Sequence, residues 1–304
     1  MCDLDIMIKE EDLKKAENLL IQAGYYYATY SQDAEVQTYL CEKSFTQAHH
    51  LLPFCHPHGI ILEVHRTLIK PSPLFNIDIE GLWERAQDKK INKTTVSVLC
   101  LEDLLLHLSL HASYMGRATP LLKPYCDIAK ILNSDADNIK WDQLQIRARR
   151  WRTEKSLYLT LRLTKEIFGV VLPDNFLNTL YPGPFDENIL FEAQKRIFAC
   201  KVHEPALRLT TSEIFYSDIN LLKKFSIFFQ RIFIPSKELA SRYALHASSK
   251  KVYLYYLIHF WSLLYRNFSL YAAHLLNLAI HRKIFYTGNL DEWLFSSDSK
   301  KDKK

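Results

Sequence analysis

Apolar and polar positions alternate strictly where the chain opens. In residues 1–8, Asp3 and Asp5 fall on one side and Leu4 and Ile6 on the other, the period-two signature of a strand. Residues 9–23 change period. Leu13, Ala16, Leu20 and Ala23 recur at helical spacing with Lys14, Lys15, Glu17 and Asn18 between them, and Gly24 follows; this predicts an amphipathic helix with a glycine stop. Residues 25–30 and 36–41 are aromatic and β-branched on either side of Ser31-Gln32-Asp33 and predict a strand pair. Residues 60–66 alternate again, with Ile60, Leu62 and Val64 on one face and Ile61, Glu63 and His65 on the other. A helix over 80–88 and a strand over 94–100 follow. From 102 onward the periodicity is helical, with helices predicted at 102–115, 121–133, 141–150, 153–168, 174–180, 186–200 and 219–233. Pro235-Ser236 starts a last helical region, with Ser236 as N-cap.

Residues 252–286 are the most apolar and aromatic stretch. Arg266 and Asn267 interrupt it, and His274, Asn277, His281, Arg282 and Lys283 follow. A spanning helix needs about 20 predominantly apolar residues. A buried or partner-facing helix pair is therefore expected. Membrane contact by an interfacial helix flanked by Lys250, Lys251, Arg282 and Lys283 is the less favoured alternative.

Composition narrows the class. The chain has 304 residues, 48% hydrophobic and 24% charged, the profile of an ordinary globular protein with room for more than one domain. Seven glycines and no glycine-rich phosphate loop argue against a dinucleotide or P-loop fold. The net charge of +5, part of it in the tail from Lys300 to Lys304, is too mild to imply a specific nucleic-acid partner. The six cysteines form no C-x-x-C pair, and the start carries no basic and apolar leader. A reducing, cytoplasmic location and a disordered tail are the expectations.

Candidate chemistry centres on carboxylates. Residues two apart on a strand share a face, about 6 to 7 Å apart, so Asp3 and Asp5 can grip one hard divalent cation through oxygen. Otherwise they are solvated acids at a strand end. Glu63 sits inside an apolar strand, where an anion is costly unless paired or metal-bound. It becomes the third carboxylate of a candidate site, or else a partner of Arg66. His49, His50, Cys55, His56 and His58 lie close together but match no zinc-module spacing, and two prolines break the run. His107 and His111 sit four apart on a helix without a zincin glutamate. They are core histidines, or they line a substrate cleft with Asp127 orienting one ring. Arg147, Arg149, Arg150 and Arg152 around Trp151 form a solvated face or a phosphate contact.

These motifs together, in order, resemble a known family. Asp-x-Asp on the opening strand, a helix ending in Gly24-Tyr25, and the run from His58 to His65 are similar to the uncharacterised bacterial nucleotidyltransferases of the DNA polymerase β superfold. The helix from Leu101 to His111, Tyr125 to Ala129, Trp141 to Leu144, and Phe168-Gly169 to Pro173 agree with the same family. The resemblance covers about residues 1–175. It implies an α+β fold: a small mixed sheet with flanking helices, then a mainly α-helical C-terminal part. The implied division is a nucleotidyltransferase-like domain at 1–100, a helical domain at 101–235, and C-terminal helices at 236–304. Asp3, Asp5 and Glu63 are the implied catalytic and metal residues, with Mg²⁺ or Mn²⁺ as cofactor. His65, His107, His111 and Asp127 are the substrate-binding candidates, and the substrates are an NTP and an acceptor the sequence does not identify. The superfold carries a Gly-Ser loop ahead of its Asp-x-Asp strand, whereas this sequence starts at the aspartates. The expectation is therefore weak transfer, or alternatively a non-catalytic fold remnant that binds a ligand or partner.

Overall fold

The computed structural model describes residues 4–28, 33–70, 72, 74–115, 122–183 and 185–198. Beyond these it describes 226, 229–230, 232–246, 248–276, 290 and 293–294. The expected helix at 219–233 lies mostly outside these residues, as does the Lys-rich tail. The chain forms two compact units, one of residues 1–71 with 220–268 and the other of 72–219 with 269–304.

The first unit holds a four-stranded mixed sheet in the order β1-β4-β3-β2. These strands are β1 (Leu4–Met7), β2 (Tyr26–Tyr27), β3 (Phe54–Cys55) and β4 (Ile61–His65). β1 runs parallel to β4, with Asp5 opposite Glu63 and Met7 opposite His65. β3 is antiparallel to both β4 and β2. Alternation decides what each face does. Leu62 and Val64 of β4 join Phe54, Leu51 and Leu13 in a core lined by Ile6, Ile8, Leu20, Tyr25, Tyr27 and Phe45. Helix α1 (Leu13–Gln22) closes over this core and ends at Gly24, whose φ of +89° suits a residue without Cβ. Glu17 of α1 is buried, accepting from the Tyr27 hydroxyl and pairing with Lys14.

The expected strand at 36–41 is instead part of helix α2 (Ala34–Gln47). Asp33 caps it, accepting from the Glu35 and Val36 amides at 2.9 and 3.2 Å. A capped N-terminus and a four-residue spacing of buried Val36 and half-buried Leu40 outweigh β-leaning composition. Val36 packs with Ile234, which precedes α10 (Ser236–Arg242), with Leu239 and Ala240 of α10, and with Val252 of α11 (Lys251–Leu276). The helix pair expected over 252–286 is thus one continuous helix through Arg266-Asn267 as far as Leu276. Charged and amide side chains interrupt hydropathy without breaking backbone hydrogen bonds. Val252, Tyr255 and Tyr256 of α11 pack inward, while Tyr253, Leu254, Leu257, Ile258, Trp261 and Tyr265 face outward. Among the described residues, no helix is long and apolar enough to cross a membrane.

Among its described residues, the second unit is helical apart from one hairpin. Helix α3 (Ile79–Arg85) is capped by Asp78, and β5 (Gln87–Ile91) pairs antiparallel with β6 (Thr94–Val98). The helix expected to run to Asp88 therefore stops earlier. Among the described residues no strand follows Val98. α4 (Leu101–Ser109) continues as a π-helical turn, Leu110–Met115. Five further helices follow: α5 (Lys123–Ser134), α6 (Trp141–Trp151), α7 (Glu154–Phe168), α8 (Phe176–Leu180) and α9 (Glu187–Ile197). α7 is the hub, buried from Ser156 to Leu161 and again at Leu163 and Thr164.

Candidate functional site

The parallel pairing of β1 with β4 builds the site. Side chains opposite one another in register share a face, so Asp5 and Glu63 project together from the side turned away from the Leu62–Val64 core. His65, two residues on, shares that face. Its Nε2 lies 3.1 Å from Asp5 Oδ1 and 3.4 Å from Glu63 Oε2. One ligand atom from each of the three lies within 4.8 Å of the others. Asp5 is open to solvent, whereas Glu63 and His65 are mostly covered. Asp3 lies outside the described residues.

Arg66 is not the partner of Glu63. It turns to the C-terminal end of α2, donating to the carbonyls of Phe45 at 2.7 Å and Ser44 at 3.3 Å and to that of Ala48 just beyond it. Behind His65 lie two more imidazoles. The His49 and His50 rings sit 4.3 Å apart, with His65 5.7 Å from one and 5.2 Å from the other. The His50 backbone bridges to that of His65. Burial, reinforced by His50 and His65, holds His49 down at about 4, so it stays neutral near neutral pH. In sequence His49, His50, Cys55, His56 and His58 read as a polar loop before the next strand, with no zinc-module spacing. Among the described residues, Asp5, Glu63 and His65 are the set of three with metal-ligand geometry.

The donor set fits a divalent cation. Two carboxylates supply hard oxygen, the imidazole supplies nitrogen, and the exposed side at Asp5 leaves room for substrate oxygens.

The other sequence candidates belong to the second unit. The His107 and His111 rings lie 6.3 Å apart, His111 on the exposed side of the π-helical turn. Asp127 pairs with Lys123 of its own helix at 2.8 Å, an ordinary i,i+4 surface contact. The arginine cluster splits. Trp151 is fully buried, and Arg147 turns inward to Asp103 at 3.0 Å and Glu102 at 3.4 Å. Arg149 donates to the Thr179 carbonyl at 3.1 Å.

Residues 1–169 match the family model described as uncharacterised nucleotidyltransferase. No curated protein and no solved structure matches the chain.

Proposed function

Because this chain belongs to the family of uncharacterised nucleotidyltransferases, we propose that it moves a nucleotidyl group from a nucleoside triphosphate to an acceptor at a divalent-metal site on Asp5 and Glu63. The observation that carries the reading is the β1–β4 register, which sets these two carboxylates side by side on one face of the sheet. Asp3 is proposed as the second aspartate of the pair on its sequence spacing. Bound Mg²⁺ or Mn²⁺ would neutralise triphosphate charge and acidify the acceptor hydroxyl.

The chain's own residues have separate tasks. Asp5 and Glu63 bring concentrated negative charge to one place, which attracts the cation. Glu63, more enclosed than Asp5, is proposed to take the proton from the acceptor hydroxyl. The acceptor oxygen then bonds to the α-phosphorus as the bond to pyrophosphate breaks. His65 spans both carboxylates and fixes their rotamers.

The test is pyrophosphate release from each of the common NTPs with Mg²⁺ or Mn²⁺, together with label transfer from an α-labelled NTP. Asp5→Asn and Glu63→Gln should each lower turnover by about 10²-fold or more, the scale of losing one preorganised electrostatic group. Equal turnover in folded variants of both kinds would overturn the proposal.

A further inference from the structure

We infer that His65 is itself a metal ligand, so that two carboxylates and one imidazole hold Mn²⁺ or a later first-row ion more tightly than Mg²⁺. This rests on the metal reading above and names the class of metal that the site selects.

The distances carry the argument first. Metal–ligand bonds of about 2.1 Å at right angles put neighbouring ligand atoms about 3 Å apart. Nε2 of His65 lies 3.1 Å from Asp5 Oδ1 and 3.4 Å from Glu63 Oε2. Those are two edges of a coordination polyhedron, and the three atoms together span no more than 4.8 Å.

Charge carries it next. Among the described residues, neither Asp5 nor Glu63 pairs with a lysine or arginine, and the adjacent Arg66 turns to backbone carbonyls and to Glu10. One imidazole N–H can offer a single hydrogen to two carboxylates. A cation among the three atoms compensates the charge that this hydrogen cannot.

Position is the third argument. The ring is set before any ion arrives. His49 and His50 lie against it, the His50 backbone is bridged to its own, and the side chain is only 18% exposed. A preset imidazole costs little entropy to use as a ligand.

Ligand chemistry then sets the preference. Mg²⁺ is bound chiefly through oxygen and retains much of its water. Imidazole suits the first-row transition ions, whose affinities rise from Mn²⁺ onward. An oxygen-only pair would discriminate less.

The experiment uses the full chain and Mn²⁺ alone. Electron paramagnetic resonance counts the bound ion, and pulsed electron spin-echo modulation reads nitrogen in its coordination shell. The wild type should bind Mn²⁺ with an imidazole-nitrogen modulation, and Mg²⁺ should displace it only in large excess. In His65→Asn the nitrogen signal should vanish and Mn²⁺ binding should weaken about tenfold or more, with Mg²⁺ binding changed far less. In His50→Gln the signal should persist. Isotope-labelled histidine in the wild type gives the same reading should the His65 variant not fold. Bound Mn²⁺ without nitrogen modulation in the wild type, or modulation that survives His65→Asn, would overturn the assignment and leave the carboxylate site standing. Absence of Mn²⁺ binding by the wild type would overturn both.

Discussion

Arg147 shows how much one side chain can decide. Asp103 is fully buried, yet it is met by Arg147 at 3.0 Å and by Arg85 Nε at 2.9 Å. Glu102, also buried, accepts from the Lys140 amide at 2.7 Å and from Arg147 at 3.4 Å. Removing one partner of a buried pair leaves an uncompensated charge, which costs about 3–5 kcal/mol. Arg147→Leu should therefore lower stability by about 3 kcal/mol in urea unfolding, whereas the surface variant Arg149→Leu should stay within about 1 kcal/mol. The signal for Arg147 was present in the sequence. Leu144, Arg147, Ala148 and Trp151 fall on one helical stripe, and the other three are fully buried. Grouping the arginines by nearness in sequence concealed that stripe. Glu238 gives a pH dependence. Burial pushes its carboxyl up, but hydrogen bonds from Lys43 and Arg242 more than offset this, and the folded value lies below the ordinary one. The contribution is therefore present above the unfolded value, about 4.3, and is lost as pH falls through the folded one. Glu238→Gln should flatten the fall in unfolding free energy on the acid side of about pH 4.3, measured across a series of buffers.

At the scale of elements, caps and packing compete with propensity. Gly81 lies inside α3, where alanine would ordinarily gain about 1 kcal/mol. A Cβ there would collide with the Asp78 carboxylate and the Arg85 guanidinium. Asp78 is held in place because it accepts from the Gly81 amide at 2.9 Å and pairs with Arg85 at 3.3 Å. Moving it forfeits the cap, worth about 1 kcal/mol, and adds overpacking of about 1–3 kcal/mol. Gly81→Ala should thus destabilise by about 1–3 kcal/mol net in chemical denaturation, the reverse of what its helical position suggests. The same competition explains α2. Aromatic and β-branched residues at 36–41 suggested a strand, but Asp33 as cap and a partner surface on α10 and α11 make it a helix. Strand β3, only Phe54–Cys55, was invisible inside a histidine- and proline-rich run, because two residues carry no periodicity.

At the scale of the whole molecule, chain order and spatial grouping part company. The family match ends at residue 169, yet the unit that holds the sheet also draws on residues 220–268. Leu239 of α10 is fully buried against Val36 of α2, far away in sequence. Leu239→Ala should cost about 2–5 kcal/mol. Its effect should appear by hydrogen exchange as faster opening of α2 with α7 amides unchanged, because the two helices belong to separate compact units. The sequence by itself determined the strands β1 and β4, the helices from α4 to α9, and the candidacy of Asp5 and Glu63. Each of these is written in a local period or in an acid placed among apolar neighbours, and local patterns need no knowledge of distant residues. Only the tertiary structure decided that β1 runs parallel to β4 in the register that joins Asp5 to Glu63, and that His65 spans both. It alone decided that α10 packs on α2, with Val252 of α11 in the same cluster. Register, strand direction and helix docking are set by burial between segments far apart in the chain, and no window of sequence contains both partners.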